Sequence, residues 1–159
     1  MEEQVKKEVL RKINYGLYVV TSRAGQEWSA GTVNWLSQCS FAPPLVMIGV
    51  KQDSGLHAVL RTAGRAVVHI LEAGQKDLAA DFFRPTKVEG DSLNGHPYRL
   101  DGEGQPVLTE IPWHFSVESR DWIERGDHSV VVAEVVDAGK NGPAELPLVM
   151  RDTGLSYGG

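Results

Sequence analysis

The sequence has little of what several common protein classes need. It contains one cysteine, Cys39, among 159 residues, so neither an internal disulfide nor a cysteine-based zinc or iron–sulfur site is expected. No apolar run reaches the roughly 18–20 residues of a membrane span, and residues 1–4 are too acidic and polar for a signal peptide. We therefore expect a cytoplasmic protein without a membrane segment. Cys39 is expected to be a small packed side chain.

Excess positive charge is also missing. The formal net charge is −5, and the Lys and Arg residues are scattered along the chain. Because a polyanion binds to a concentrated basic face, we expect no nucleic-acid partner. A local basic pocket for one or two phosphates is still compatible with this charge pattern.

The familiar catalytic motifs fail on their context. Gly102-Glu103-Gly104 begins like a dinucleotide-binding turn, but Pro106 and Val107 break the pattern and no strand precedes it. There is no P-loop. The letters of residues 154–158 match a nucleophile elbow, but the required strand, helix and triad partners are missing, so a serine hydrolase is rejected.

The five histidines are far apart in the sequence and have no metal-ligand spacing, so no metal site is predicted. His69 lies in an apolar strand and is predicted to be a core residue. His114 is predicted to face solvent from its strand. His128 differs because Gly126 and Asp127 place it at the mouth of a strand, where a side chain is easily directed at a site.

The hydrophobic spacing predicts many strands and a few short helices. Helices are expected over 3–13, after the capping pair Asp53-Ser54, and over 74–83. In the second of these helices, Leu56, Val59 and Leu60 share one face. Strands are expected over 17–21, 27–35, 45–50, 66–71, 113–119 and 128–136, with the first two forming a hairpin. Residues 84–105 are predicted to form a long loop. This pattern predicts one domain, residues 1–159, with antiparallel strands closed into a barrel that leaves no edges.

Several segments, in this order, resemble the flavin reductase-like family of FMN-binding split barrels. They are AGTVNWLS at 30–37, SFAPPLV at 40–46, KQDS at 51–54, AADF at 79–82, QPVL at 105–108, GDHS at 126–129, AEVV at 133–136, PLV at 147–149 and SYGG at 156–159. No single segment is specific, but the ordered set is. The resemblance extends from about residue 10 to the end.

The resemblance implies a mainly β fold, a Greek-key antiparallel split β-barrel with short flanking helices. It also implies an NAD(P)H:flavin oxidoreductase that transfers hydride from NADH or NADPH to FMN, with FAD as a second flavin. A homodimer and a monooxygenase or other electron acceptor are implied as partners. The alternatives are a flavoredoxin-like FMN electron carrier with little nicotinamide activity, and a non-enzymatic member that binds haem or only a partner protein.

By resemblance, the flavin ring lies along the strand end at residues 32–37, where backbone amides would stabilise the reduced ring. The residues assigned to this wall are Thr32, Val33, Asn34, Trp35, Leu36 and Ser37. Trp35 either stacks on the ring or packs beneath it. Phe82 either reaches the flavin from a helix end or belongs to the core.

The phosphate of FMN needs donors and positive charge, which a helix N-terminus supplies. Lys51 and Ser54 lie where the chain enters its second helix, with His57 one turn further, and are assigned to this phosphate. The alternative is a solvated loop with an N-cap. Asp53 would repel a phosphate, so it either points away or caps the helix.

His128 is the candidate catalytic residue, in contact with the nicotinamide or the flavin edge, by resemblance to the Gly-Asp-His segment at 126–128. A structural hydrogen bond to the neighbouring loop is the alternative. Hydride transfer between two cofactors requires no acid–base pair, which is consistent with the lack of a recognisable catalytic constellation.

Overall fold

The computed structural model describes residues 1–159, and its framework is two antiparallel sheets. The larger sheet has seven strands, in the order β2 (Glu27–Val33), β1 (Tyr18–Ala24), β5 (Arg65–Ile70), β10 (Trp113–Ile123), β11 (His128–Lys140), β4 (Leu45–Lys51) and β3 (Leu36–Ser40). All neighbouring strands run antiparallel. The predicted mainly β, antiparallel fold is confirmed.

The larger sheet does not close into a continuous barrel. Its two ends are β2 and β3, so the prediction that no edges remain is wrong. The chain turns from β2 into β3 at Asn34 and Trp35, and β3 pairs with β4 instead of continuing the hairpin ladder. The helix after β4 packs against β1, β2 and β4, and so covers the opening. The barrel is therefore split.

Three α-helices accompany the sheets: α1 (Glu3–Leu10), α2 (Gly55–Ala63) and α3 (Lys76–Asp81). As predicted, α2 is capped by Ser54 and buries Leu56, Val59 and Leu60. By contrast, α1 ends three residues earlier than predicted and has no buried residue. None of the helices has both the length and the apolar character needed to cross a membrane.

Three of the four strands of the second sheet lie in the region that was predicted to be a long loop, and the fourth follows directly after it. Its four strands are β6 (Val88–Glu89), β7 (Ser92–Leu93), β8 (His96–Leu100) and β9 (Pro106–Leu108). Strands of two residues have no measurable periodicity, which is why the sequence pattern missed them. Asn94, at a φ of 49°, makes the turn between β7 and β8.

Hydrophobic side chains fill two adjoining regions of the core. One lies between the larger sheet and α2 and includes Val20, Ile48, Leu60, Val68 and Val131; the other faces the smaller sheet and includes Leu17, Leu71, Phe82, Leu108 and Ile111. Burial of this much apolar surface is the main stabilising contribution to the fold.

His69 is a core residue, as predicted, and its ring links the two sheets. Its ring is fully buried, with Nδ1 3.0 Å from the carbonyl oxygen of Val19, while the amide of Leu108 donates to Nε2 at 2.9 Å. Since the amide can only donate, Nδ1 carries the proton and the ring is neutral. Burial lowers the pKa of His69 from 6.5 to about 3.

Two expectations about single side chains are wrong. His114 does not face solvent but is buried, with its ring centroid 6.2 Å from that of His69. Cys39 is not packed inside but exposed, because β3 is an edge strand whose central residues face outward.

Candidate functional site

A cavity of about 790 Å³ opens between β2, the N-terminus of α2, the segment after α3 and the end of the chain. This volume lies in the range of about 300–1,000 Å³ that is typical of cofactor and small-molecule sites. Seven of the predicted site residues line it: Thr32, Val33, Asn34, Lys51, Ser54, Phe82 and His128. The structure therefore brings together residues from four separated segments of the sequence.

Four other predicted residues do not line the cavity: Trp35, Leu36, Ser37 and His57. Leu36 and Ser37 belong to the edge strand β3, where the Ser37 hydroxyl is exposed and donates to the carbonyl oxygen of Gln38 at 3.1 Å. His57 turns away from the cavity, with its Nε2 2.8 Å from the hydroxyl of Ser129.

Trp35 packs against the outer face of β4. Val46, Ile48 and Val50 are buried along this strand, so Gly49 lies on its other face. The Gly49 amide donates to the Trp35 carbonyl oxygen at 2.7 Å, and a β-carbon on Gly49 would lie only 3.0 Å from that of Trp35. Any larger residue at position 49 would force Trp35 to shift by a few tenths of an ångström. Of the two alternatives for Trp35, packing beneath the site is the one that the contacts favour.

The N-terminus of α2 presents free donors to the cavity. Ser54 Oγ accepts from the His57 amide at 3.1 Å and donates to the Lys51 carbonyl oxygen at 2.7 Å, so the one donor of the hydroxyl is already used. The amides of Gly55 and Leu56, two residues of the cavity wall, have no partner in the chain. Unpaired amides at the positive end of a helix form an anion site.

Two basic side chains line the cavity, and each is paired with a carboxylate of the chain. Lys51 Nζ is 3.1 Å from Asp53 Oδ1, and this hydrogen bond and charge raise the pKa of Lys51. Asp53 is therefore paired with Lys51 and is not the helix cap, since Ser54 fills that position. A second cation, Arg84, also lines the cavity and lies 3.1 Å from Asp81. Arg84 was not predicted as a site residue, because its segment was expected to form a loop.

The segment after α3 covers the open edge of β2. The Thr32 amide and hydroxyl donate to the carbonyl oxygens of Phe82 and Ala79, at 3.4 and 2.7 Å, and the Ala30 amide donates to the Thr86 hydroxyl at 2.8 Å. An edge strand otherwise leaves such groups unpaired. Phe82 is buried in the core and also lines the cavity, so it is a core residue, and its contact with the flavin stays a prediction.

His128 is held in the cavity wall from both sides. It begins β11, pairs with Lys51 of β4, and places Nδ1 2.9 Å from Asp127 Oδ1. This bond lowers the pKa of Asp127. Nε2 lies 2.8 Å from the hydroxyl of Tyr157, and the ring centroid is 4.6 Å from that of Trp35. When the ring has a single proton, and the Asp127 carboxylate accepts it in a hydrogen bond from Nδ1, Nε2 accepts a hydrogen bond from the Tyr157 hydroxyl.

Tyr157 is a site residue that sequence reasoning did not assign. Its hydroxyl meets His128 across 29 residues of sequence, and its carbonyl oxygen accepts from the Asn34 side chain at 3.4 Å. Burial raises the pKa of the Tyr157 phenol, which keeps it protonated near neutral pH. The segment 155–157 thereby becomes a wall of the cavity.

Known proteins share this sequence and fold. An NADH-dependent FAD reductase of Streptomyces globisporus is 34% identical over 127 residues, which cover 77% of this chain and 68% of that protein. Diflavin flavoprotein A 1 of Synechocystis sp. is 28% identical over 131 residues, covering 82% of this chain. The chain spans about a quarter of the length of the diflavin flavoproteins that it matches.

A solved structure and a family model agree with these relatives. The NADH:FAD oxidoreductase of Streptomyces globisporus C-1027, solved in complex with NAD and FAD fragments, is 28% identical with a TM-score of 0.76, over 92% of this chain and 86% of that one. Residues 10–159 match the model of the flavin reductase like domain. With nearly the whole chain matched, the protein belongs to the flavin reductase-like domain family.

Proposed function

We propose that the protein binds FMN in the large cavity and transfers hydride to it from NADH or NADPH. The observation that carries this proposal is the pair of unpartnered amides at Gly55 and Leu56, next to Lys51, at one end of an otherwise largely apolar cavity. That arrangement suits a phosphate dianion attached to a large apolar ring. The relatives named as NADH-dependent flavin reductases support the same activity.

The residues divide into those that hold the cofactor and those that orient its donor. Lys51 and the α2 amides would hold the phosphate, while residues 32–34 and Phe82 would wall the ring. When bound, the flavin supplies the electron-accepting chemistry. His128, fixed by Asp127 and Tyr157, would orient the nicotinamide at the ring, which lowers the barrier by positioning alone.

Binding is tested by titrating FMN and riboflavin into wild-type protein and Lys51→Gln, following flavin fluorescence. Because riboflavin lacks the phosphate, we expect Lys51→Gln to weaken FMN binding about tenfold and to leave riboflavin binding unchanged. The matched control is Lys87→Gln, since Lys87 also pairs with a carboxylate two residues on, Glu89 at 2.6 Å, but lies outside the cavity. Equal FMN affinity in wild type, Lys51→Gln and Lys87→Gln would show that the phosphate does not bind beside Lys51.

Activity is tested by mixing the FMN-loaded protein with NADH or NADPH under anaerobic conditions. Bleaching of the flavin absorbance identifies a reductase and its preferred donor. The diflavin flavoproteins among the relatives favour a second candidate, an FMN-binding electron carrier with little nicotinamide activity. A yellow protein that neither nucleotide bleaches would establish the carrier and reject the reductase. Repeating the titration with FAD determines which flavin is preferred.

We also propose that the protein is a cytoplasmic homodimer. The support for the dimer is the exposure of apolar side chains along and after α1, among them Val5, Val9, Leu10 and Ile13, which no part of the chain covers. Light scattering coupled to size exclusion should give twice the 17.4 kDa mass of the chain. A mass of one chain at micromolar concentration would contradict the dimer.

A further inference from the structure

The ring of His96, the first residue of β8, lies between two carboxylates from different elements. Its Nδ1 is 2.7 Å from Glu110 Oε2, in the turn between β9 and β10, and its Nε2 is 3.0 Å from Asp81 Oδ2, at the end of α3. Only 17% of the His96 side chain is exposed, so water competes little for these two bonds. The ring therefore connects α3 to the turn before β10.

Both hydrogen bonds require the charged form of the His96 ring. An ionised carboxylate can only accept, so each ring nitrogen must carry a proton, and only the imidazolium has two N–H groups. Asp81 and Glu110 are the charged groups that face the ring, and Arg84 pairs with the other oxygen of Asp81 at 3.1 Å. Burial opposes the charge on the ring, but the hydrogen bonds and charges of the two carboxylates outweigh it and raise the pKa of His96.

The end of α3 that His96 holds is directly connected to the wall of the large cavity. Phe82, the residue after Asp81, is buried and lines the cavity, and its ring centroid is 5.4 Å from that of His96. The Phe82 carbonyl oxygen accepts from the amide of Thr32, a second residue of the wall, at 3.4 Å. A shift of the end of α3 would therefore move two parts of the cavity wall.

Loss of one proton from His96 breaks the connection between the two carboxylates. A neutral ring has a single N–H and can donate to only one of them. The other carboxylate then faces a nitrogen lone pair at hydrogen-bond distance, which is unfavourable for both groups. Whichever carboxylate is released, one ring no longer holds α3 and the turn before β10 together.

We propose that charged His96 is a positioning residue for the flavin cavity, because it fastens the end of α3 to the turn before β10 and thereby holds Phe82 and Thr32 in the cavity wall. As the pH rises and the ring becomes neutral, this connection is lost and binding of the flavin ring weakens. The inference rests on the proposed function for the identity of the ligand. It concerns the wall around the flavin ring and not the anion site at α2.

The probe is riboflavin, titrated into the protein at about pH 6 and about pH 9, between which a histidine loses its charge. Riboflavin lacks the phosphate of FMN, whose second pKa of about 6 would add a pH dependence of its own. We expect wild type to bind riboflavin about tenfold more weakly at the higher pH, since hydrogen bonds to a charged group are lost.

Glu110→Gln is the most informative variant, because it leaves His96 in place and removes the need for its charge. The introduced amide can accept from an imidazolium and donate to a neutral ring, while Asp81 accepts from the other nitrogen. Riboflavin affinity in Glu110→Gln should therefore stay within about twofold between the two pH values. His96→Gln has one nitrogen in place of two and no charge, so it should bind at the lower pH as weakly as wild type does at the higher pH.

The matched control is Glu89→Gln. Glu89 is also a carboxylate of the smaller sheet, paired with Lys87 at 2.6 Å, but it lies outside the cavity and is not bonded to His96. This variant should lose riboflavin affinity with rising pH as wild type does. Equal losses in wild type and Glu110→Gln, or no loss in wild type, would overturn the proposal.

The cavity has titratable residues of its own, and these do not change between the proteins compared. Lys51, His128 and Tyr157 line the cavity in wild type and in every variant. A pH dependence that arises from them would persist in Glu110→Gln. The difference between wild type and this variant therefore reports on His96 and its two carboxylates.

Hydrogen exchange in the flavin-free protein separates this proposal from the proposed function. At about pH 9, the amides of Phe82 and Phe83, which donate to the carbonyl oxygens of Ala79 and Ala80, should exchange about tenfold faster in wild type than in Glu110→Gln. Equal exchange rates in the two proteins would overturn the proposal. Absent riboflavin binding in every protein would reject the flavin function, while the exchange comparison would still decide the role of His96.

Discussion

Lowering the pH from 7 to 5 should destabilise the fold through one buried side chain, His69. Its pKa is lowered from 6.5 to about 3, because complete burial of the ring disfavours the charged form. The Nε2 lone pair also accepts the hydrogen bond of the Leu108 amide. The neutral form is therefore favoured in the folded state. Its contribution to stability is complete above pH 6.5 and is lost progressively as the pH falls towards 3. Stability falls as the pH falls, because His69 becomes protonated at a higher pH in the unfolded chain than in the folded protein.

The size of the effect follows from the two pKa values. Each pH unit between them costs about 1.4 kcal/mol of folding free energy, so a change from pH 7 to pH 5 removes about 2 kcal/mol through His69. Urea unfolding at both pH values gives the measurement. In His69→Gln, an amide can keep both hydrogen bonds without titrating, and we expect the pH-dependent loss to be smaller by about 2 kcal/mol.

His114 provides the control for His69, because burial also lowers its pKa but its Nδ1 has no hydrogen-bond partner. His114→Gln should leave most of the wild-type pH dependence in place. Equal losses in wild type and His69→Gln would refute the reasoning, since the destabilisation would then arise from other groups.

Three further predictions concern the site and its surroundings. His128→Ala should slow flavin reduction about 10- to 100-fold, while the affinity for FMN stays the same. An unchanged rate of flavin reduction in stopped flow would show that His128 has no role in the mechanism. Ser54→Ala should cost about 1 kcal/mol in urea unfolding, as loss of an N-cap does; Thr at this position should retain most of the stability. Burial opposes the charge of His96, but Glu110 and Asp81 outweigh it and raise its pKa. Protonated His96 therefore stabilises the fold below its unfolded pKa, and this contribution is lost as the pH rises through its folded pKa. In His96→Gln, the free energy of unfolding should therefore depend less on pH above neutral.

The elements that could be predicted from sequence are those specified locally. Ser54 was identified as a cap because a serine at a helix start accepts from the amide three residues on, which requires no distant contact. The buried side of α2 followed from apolar spacing in the same way. The central strands were found because their valine-rich runs are typical of strands buried in a core.

The elements that could not be predicted depend on distant partners. The edge strand β3 exists because β4 pairs with it, since its own residues are mostly exposed and polar. Trp35 lies beneath the cavity because Gly49, 14 residues away in the printed sequence, leaves room for it. Tyr157 reaches His128 only through the path of the tail. The spacing of residues along the chain does not indicate which distant residues will contact each other.

The path of the segment after α3 explains most of the other differences between the predicted and the observed structure. Its strands are too short to show periodicity, and its Arg84 and Thr86 enter the cavity wall only because the segment bonds to the edge of β2. That this region is functional, as long loops often are, stays a prediction. The expected absence of regular structure there is wrong.

The assignment of the large cavity to flavin is tested most directly by a crystal structure of the protein soaked with FMN. We expect the phosphate within about 2.7–3.2 Å of the Gly55 and Leu56 amides, the ordinary range for such bonds, and the ring beside residues 32–34. Phosphate density at any other place, or a cavity that stays filled by its own side chains at saturating FMN, would contradict the assignment.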